Sequence, residues 1–121
     1  MRLFALRGAT TVEHDEADDI LTATEELMRE LLSRNRLAAE DLVSAIFTLT
    51  PDLNAEFPAV AARRMGLSGV PLLCARELDV PGQLPRVIRT LIHYYAPDEH
   101  EPQHVYLGEA TKLRLDLHGA Q

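Results

Sequence analysis

Arginine side chains set among apolar residues are the part of this sequence best suited to chemistry. Arg7 lies in an apolar run near the start, Arg89 lies in another, and Arg114 stands between two leucines. Taken singly, each is more simply interpreted as a structural ion pair or an outward-facing residue, because a guanidinium among apolar side chains must find a partner or reach solvent. Together they indicate a site for an anion with several carboxylates, since guanidinium and carboxylate pair through two parallel hydrogen bonds.

Three further polar side chains could contribute to such a site, but each has an ordinary explanation. Cys74 and Glu77 lie three residues apart, and Tyr106 stands in a short apolar run. A lone cysteine is usually a small buried residue, a lone glutamate a surface acid, and a lone tyrosine a core aromatic with its hydroxyl at the edge. From the residues alone, the prediction therefore stops at an anion-binding α/β domain.

The common catalytic and metal-binding motifs do not occur in this sequence. No serine stands in Gly-x-Ser-x-Gly, which disfavours a serine hydrolase. His100 and His104 have a spacing that could bind a metal on a helix, but Pro102 between them would break that helix. Neither common glycine-rich phosphate loop is present. The sequence thus predicts neither a metal site nor a nucleotide site.

The overall composition narrows the class of protein further. The net charge of -7, with no concentrated basic patch, argues against nucleic-acid binding. The apolar runs are too short to span a membrane, and the opening run is too short for a secretory signal. Cys74 is the only cysteine, so no intrachain disulfide can form, which fits a reducing compartment. We therefore expect a cytoplasmic protein.

Two helices are predicted, the first from apolar periodicity and the second from the residues that suit its two ends. From Ala17 to Leu31, apolar residues recur at spacings of three and four, which places them on one stripe of a helix. Acidic residues gather at its start and arginines near its end, as the helix dipole favours. A second, shorter helix is predicted to begin at Pro58, which suits the first helical position, and to end near Gly66.

Short apolar runs rich in β-branched and aromatic residues predict strands. The predicted strands are Leu3–Val12, Leu42–Thr50, Val70–Ala75 and two short runs around Gly108, between His104 and Leu117. The segment Pro85–Tyr95 is ambiguous, because its apolar residues fit one helix face whereas its composition favours a strand. Residues 116–121 are predicted to form a loose tail.

This order of elements predicts a single domain over residues 1–121, of the α+β (α/β-like) class. The expected architecture is a mixed β-sheet with helices packed on one face. Two helices are too few to cover both faces of such a sheet. Packing against other copies of the chain would cover the second face.

Four short blocks of the sequence also resemble the AroH-class chorismate mutases, in the family's order and spacing over nearly the whole chain. The blocks are Arg7–Glu13; Thr50–Ala59 followed by Arg63; Pro71–Asp79 followed by Pro81, Gly82, Ile88 and Arg89; and His104–Leu107 followed by Leu113, Arg114 and Asp116. Each block is short, but four in register are specific. The chain is therefore identified as a member of this family.

The resemblance implies a fold, an assembly and a reaction. The family's fold is a mixed sheet with helices on one side, assembled as a homotrimer with a pseudo-barrel core and active sites between subunits. It implies that Val87–Tyr95 is a strand with Arg89 facing the site. The reaction is the Claisen-type rearrangement of chorismate to prephenate in phenylalanine and tyrosine biosynthesis. That reaction uses one substrate molecule and no metal or other cofactor.

The resemblance also implies roles for individual residues. Arg89 would face the ether oxygen of chorismate, Arg7 would hold a substrate carboxylate, and Glu77 would accept a hydrogen bond from the ring hydroxyl. Arg114 would help to close the mouth of the cleft. The other implied lining residues are Phe57, Ala59, Arg63, Leu73, Cys74, Ala75, Arg76 and Tyr106. The neighbouring subunit would supply Phe57, Ala59, Arg63, Leu73 and Cys74.

Two positions depart from the pattern of some family members. Val60 stands where a lysine can occur, which weakens the case for a second cation at the cleft entrance. Leu73 stands where a threonine can occur, so a possible side-chain hydrogen bond is absent there. Neither departure affects Arg7, Glu77 or Arg89, the proposed catalytic residues. The alternative hypothesis is a non-catalytic trimer that binds a dicarboxylate, which would need the same arginines without a dedicated role for Glu77.

Overall fold

The strands and helices follow one another along residues 1–116, the part of the chain that this computed structural model describes. The strands are β1 (Arg2–Thr11), β2 (Leu42–Leu49), β3 (Leu72–Arg76), β4 (Val87–Ala96) and β5 (Val105–Tyr106). The helices are α1 (Ala17–Asn35), α2 (Pro58–Arg64) and α3 (Thr111–Asp116), with single 3₁₀ turns at Ala39–Asp41 and Gly108–Ala110.

The strands form one mixed sheet in the order β3-β2-β4-β1-β5. β4 lies at the centre and pairs antiparallel with both β1 and β2. The two short edge strands are parallel to their neighbours, β3 to β2 and β5 to β1. The α+β class and the single mixed sheet predicted from the sequence are confirmed.

One face of the sheet packs against the helices and forms the core. Along β4 every second side chain from Ile88 to Tyr94 is buried, and Leu6 and Phe47 on the flanking strands join the same core. Helix α1 faces them with Leu27, which is fully buried. Burying one such large apolar side chain stabilises the fold by about 1.5–3 kcal/mol. This alternation of buried and half-buried residues fixes which side chains can reach the other face.

Gly8 allows α1 to lie close against β1. A Cβ atom at this position would come within 2.7 Å of a terminal carbon of Leu31, which is fully buried and has little room to move. The close approach therefore requires a residue without a side chain. Arg7, the residue before Gly8, projects from the opposite face of the same strand.

The face of the sheet opposite α1 and α2 is called the open face below. Large apolar side chains remain exposed on it, including Leu3 at 50%, Leu73 at 63% and Tyr95 at 49%. Large apolar side chains exposed together on one face are typical of a protein–protein interface. The open face also carries most of the polar residues that the sequence singled out.

Two predictions about the elements need comment. Pro85–Tyr95, left ambiguous by its composition, contains β4, because pairing on both sides selects the strand conformation. The second strand predicted after Gly108 is wrong, since Thr111–Asp116 is helix α3. Gly108 has a φ of +58°, which turns the chain out of the sheet, and the amide of Ala110 then bonds the carbonyl of Leu107. The predicted tail falls almost entirely on residues 117–121, outside the described residues.

Candidate active site

A row of residues crosses all five strands on the open face. Arg89 of β4 pairs with Thr48 of β2 and with Ala9 of β1. The row continues outward to Ala75 on β3 and Tyr106 on β5. Side chains of directly paired residues project from the same face of a sheet. The register therefore places Arg89 and Tyr106 on one surface, at either side of β1.

Arg7 belongs to the same surface. It lies two residues before Ala9 on β1, so its side chain projects from the face that carries the row. Its partner across the sheet is Leu91, which lies two residues from Arg89 on β4. Arg7 and Arg89 therefore share the open face.

Arg89 and Glu77 form an ion pair beside this row. The Arg89 Nε atom lies 3.2 Å from Glu77 Oε2, and the two side chains are 33% and 14% exposed. The same carboxylate oxygen accepts a hydrogen bond of 2.7 Å from the Thr48 hydroxyl. Glu77 is thus oriented by a neutral donor on β2 while it faces a cation on β4.

The Arg89–Glu77 contact is short, but its angle is not that of a hydrogen bond. The buried Nε–H of Arg89 has no acceptor in hydrogen-bonding geometry among the described residues. The two side chains therefore form an ion pair without a hydrogen bond through Nε. Buried polar groups in native proteins usually have a partner, and an exception often marks a functional site. Because Nε itself is buried, a ligand can approach Arg89 only through the exposed third of its side chain.

The backbone around Arg7 is tied to His104 at the other end of the chain. The Arg7 amide donates a hydrogen bond of 3.0 Å to Nδ1 of His104. Partial burial of the imidazole, together with the positive charge of Arg7, lowers the pKa of His104 below its usual value of 6.5. His104 is thus kept neutral, which lets it accept this bond. This role could not be predicted from the sequence, because it arises from a contact between residues 97 positions apart.

The remaining residues of β3 divide between the two faces. Leu73 and Ala75 are exposed on the open face, whereas Cys74 is half-buried and packs against the core on the helix side. Arg76 turns away from the row and donates hydrogen bonds to the loop that follows β2. The structure therefore places Ala75 in the row but gives Arg76 other partners within its own chain.

Three of the residues assigned to the neighbouring subunit lie on helix α2 or directly before it. Phe57 precedes the helix and is 65% exposed, Arg63 is exposed near its end, and Ala59 is buried against the core. They lie in the helix layer and so do not join Arg89 within one chain. Arg114 lies on α3, where the strand predicted for it is replaced by helix.

Thr48 is the site residue that the sequence analysis overlooked. The available signal was its place between Phe47 and Leu49, both buried, which puts its hydroxyl on the opposite face of the strand. Within residues 1–116, no group of three His, Cys, Asp or Glu side chains is arranged to hold a metal ion. In the same range no helix combines the length and apolar character needed to cross a bilayer.

The fold and this surface define a small α+β protein with two arginines on the open face of its sheet. The family model described as chorismate mutase type I matches residues 3–117. The chorismate mutase AroH of Thermus thermophilus is 49% identical over 118 residues, covering 96% of this chain and 97% of the relative. The chorismate mutase AroH of Bacillus subtilis (strain 168) is 39% identical over 119 residues, covering 97% and 94%.

The similarity extends to three-dimensional structure. The solved structure of a chorismate mutase from Clostridium thermocellum superposes with a TM-score of 0.87 at 44% identity, covering 90% of this chain and 98% of that one. The chain therefore belongs to the chorismate mutase type I family and is an isomerase of that class. The family resemblance found in the sequence is confirmed.

Proposed function

We propose that this protein rearranges chorismate to prephenate on the open face, at the surface formed by Arg7, Glu77, Arg89 and Tyr106. The observation that carries the proposal is the state of Arg89. Its charge lies beside Glu77, its Nε–H has no hydrogen-bond acceptor among the described residues, and a third of its side chain is exposed. Family membership names the reaction, and this guanidinium supplies the group that the reaction needs.

The chemistry requires fixed positive charge and confinement. As the ether bond of chorismate breaks, negative charge grows on the ether oxygen and the enolpyruvyl group. A guanidinium already in position stabilises that charge without reorganisation, which is the most effective form of electrostatic catalysis. Holding the substrate in a compact chair brings the two carbon ends together and removes much of the entropic barrier. No proton transfer or covalent intermediate is required.

Arg7 and Glu77 would orient the substrate around Arg89. Chorismate is a dianion, and the Arg7 guanidinium can pair with one carboxylate in a two-pronged geometry. Glu77 would accept a hydrogen bond from the ring hydroxyl, with its other contacts to Thr48 and Arg89 limiting its rotation. Tyr106, at the far end of the row, would line the enolpyruvyl side.

The net charge of -7 does not oppose binding of a dianion. Charges more than about 8–10 Å away are largely screened at physiological salt. A pair of unit charges at 4 Å is worth about 4 kcal/mol at an effective dielectric near 20. Arginines in contact with the substrate therefore outweigh acidic groups elsewhere on the surface.

We propose that the active protein is a homotrimer with sites between subunits. The open face exposes large apolar side chains and needs cover, while one chain leaves the site without a second wall. Phe57 and Arg63 are exposed in the helix layer and are free to approach a neighbour's open face. Leu73, which is exposed, would complete that wall, whereas Ala59 and Cys74 pack against the core of their own chain and would support it. We also propose that the protein is cytoplasmic and that it works without a cofactor.

An ultraviolet assay of chorismate disappearance, with purified protein, tests the proposed activity directly. We expect turnover without added metal, and prephenate as the sole product. Tight binding of chorismate without turnover would contradict the proposal and support the dicarboxylate-binding alternative. Nothing in the described residues or in the names of the relatives favours that alternative.

A further inference from the structure

The loop between β2 and α2, residues 50–57, contacts the end of β3 and the start of β4, and it ends at Phe57 before α2. It leads directly into Phe57, which is exposed at the start of α2. Polar side chains from other elements satisfy its backbone groups, as they must where a chain segment lacks regular structure. This segment is called the 50–57 loop below.

Arg76 holds one side of the 50–57 loop. Its Nη1 donates hydrogen bonds of 3.1 Å to the Thr50 carbonyl and 2.8 Å to the Leu53 carbonyl. Its Nη2 donates a hydrogen bond of 2.8 Å to Oδ1 of Asn54. All three acceptors are neutral, so the guanidinium acts here as a rigid fork of donors, a geometry that lysine cannot reproduce.

Asp15 holds the other side with complementary chemistry. Its Oδ1 accepts hydrogen bonds from the amides of Asn54 and Ala55, at 2.8 and 3.0 Å. The loop is thus fixed between a donor side chain at the end of β3 and an acceptor side chain before α1. Two opposite charges with different partners restrict the loop more than either would alone.

The same loop also reaches the beginning of β4. Asp52 accepts two hydrogen bonds from the amide of Arg86, at 3.0 and 3.2 Å, and one of 2.6 Å from the Thr50 hydroxyl. Arg86 has a φ of +52°, a left-handed conformation that is uncommon for residues other than glycine. These bonds hold the turn from which β4 runs to Arg89, three residues further on.

We propose that Arg76 is a positioning residue for the mutase reaction rather than a contact of the substrate. By fixing the 50–57 loop, Arg76 determines the position of the exposed Phe57 at the wall of the proposed cleft. By anchoring the end of β3, it also determines the position of Glu77, the next residue in the chain. The Glu77 amide bonds the Leu49 carbonyl at 2.9 Å, which completes the anchor. The inference deepens the proposed function and rests on it for its kinetic consequence.

The loop can be observed separately from catalysis, because the sequence contains no tryptophan. Phe57→Trp introduces a single fluorescent reporter at the end of the loop. In that background we expect Arg76→Ala to lower the fluorescence anisotropy and to increase quenching by acrylamide. Arg64→Ala, which removes another exposed arginine, on α2, is the matched control and should leave both signals unchanged. Unchanged anisotropy in Arg76→Ala would overturn the proposal.

Kinetics with the natural Phe57 then separate positioning from substrate contact. We expect Arg76→Ala to raise KM about ten-fold with a smaller fall in kcat, because displacement of a binding wall weakens productive orientation. Arg76→Lys and Arg76→Gln should each recover part of the loss to a similar extent, since the loop acceptors are neutral. Recovery by lysine alone would indicate a contact with a substrate carboxylate and would overturn the proposal.

Asn54→Ala keeps the experiment decisive if Arg76→Ala does not fold. It removes one acceptor of the clamp without touching the arginine, and we expect a smaller change of the same sign in both anisotropy and KM. An unaltered loop and an unaltered KM in this variant would count against the clamp. If the unmodified protein does not turn over chorismate, the proposed function fails, whereas the fluorescence measurement still decides whether Arg76 holds the loop.

Discussion

Glu77 determines how Arg89 presents its charge. The carboxylate is only 14% exposed and lies between the Thr48 hydroxyl and the Arg89 side chain. The carboxylate restricts the position of the Arg89 guanidinium, but it does not accept a hydrogen bond from the Nε–H. The guanidinium is thus held in place before a ligand arrives, with a third of the side chain exposed, and catalysis by preorganised charge requires such a cation.

Removal of the Arg89 guanidinium should abolish most of the activity. We expect Arg89→Ala to lower kcat by at least about a hundred-fold, the usual consequence of losing one preorganised donor. Arg89→Lys should also be poor, because an ammonium is a shorter point charge without the planar fork. Chorismate consumption under saturating substrate measures the effect. Arg64→Ala serves as the control, and near-normal kcat in either Arg89 variant would contradict the assigned role.

His104 should make folding stability depend on pH. Because its folded pKa is lowered, mainly by burial and then by Arg7, the unfolded chain binds a proton more readily between that pKa and 6.5. The contribution is fully present above pH 6.5 and is lost as the pH falls toward the folded pKa. Urea denaturation at pH 7.5 and pH 5.5 should therefore show lower stability at the acidic pH.

His104→Asn is the matched variant for this measurement. An amide oxygen can still accept the hydrogen bond from the Arg7 amide, but it does not titrate in this range. We expect the stability of His104→Asn to change less between the two pH values than that of the unmodified protein. An identical pH dependence in both proteins would refute a role for this imidazole.

Among the elements, the packing of α1 on β1 depends on Gly8. We expect Gly8→Ala to destabilise the protein by about 1–3 kcal/mol, because the added methyl overpacks against Leu31 in a core that has no room for it. Denaturation by urea at fixed protein concentration measures the loss. Gly69→Ala is the control, since nothing lies within 4 Å of its added carbon. Equal stability of the two variants would show that α1 can shift without cost.

Strong local patterns made the central elements predictable. The apolar stripe from Ala17 to Leu31 predicted most of α1, and the β-branched and aromatic content of Leu42–Thr50 predicted β2. The ambiguity of Pro85–Tyr95 was real, because its strand conformation depends on pairing partners far away in the chain. The misassigned run after Gly108 shows the reverse case, in which a local turn overrides an alternating pattern.

The site was predictable only where residue type restricted the chemistry. Arginines among apolar residues identified Arg7 and Arg89 as candidates, and the family resemblance added Glu77. The partners that hold them were not predictable, because Thr48 and His104 are ordinary residues whose importance arises from cross-strand register and long-range contact. Arg76 was assigned to the substrate for the same reason, since sequence does not show that its donors are engaged by the 50–57 loop.

At the scale of the whole molecule, the open face predicts self-association. We expect the purified protein to sediment as a trimer of the 13.5 kDa chain. Leu91→Asp places a charge at the middle of that face, between Arg7 and Ile46, and should shift the mass toward monomer with loss of activity. Thr22→Asp, on the exposed side of α1, is the control. Monomeric but fully active unmodified protein would exclude the shared site.

The row that crosses the five strands links chain folding to chemical competence. If the register of β4 shifted by one residue against its neighbours, Arg89 would enter the apolar core, and Ile88 and Thr90 would face outward. A molecule with this register would have no Arg89 guanidinium at the site, and the burial of an unpaired charge would destabilise its fold. Correct alignment and a competent enzyme are therefore reached together, so turnover regained after dilution from denaturant should report how many molecules found the right strand alignment.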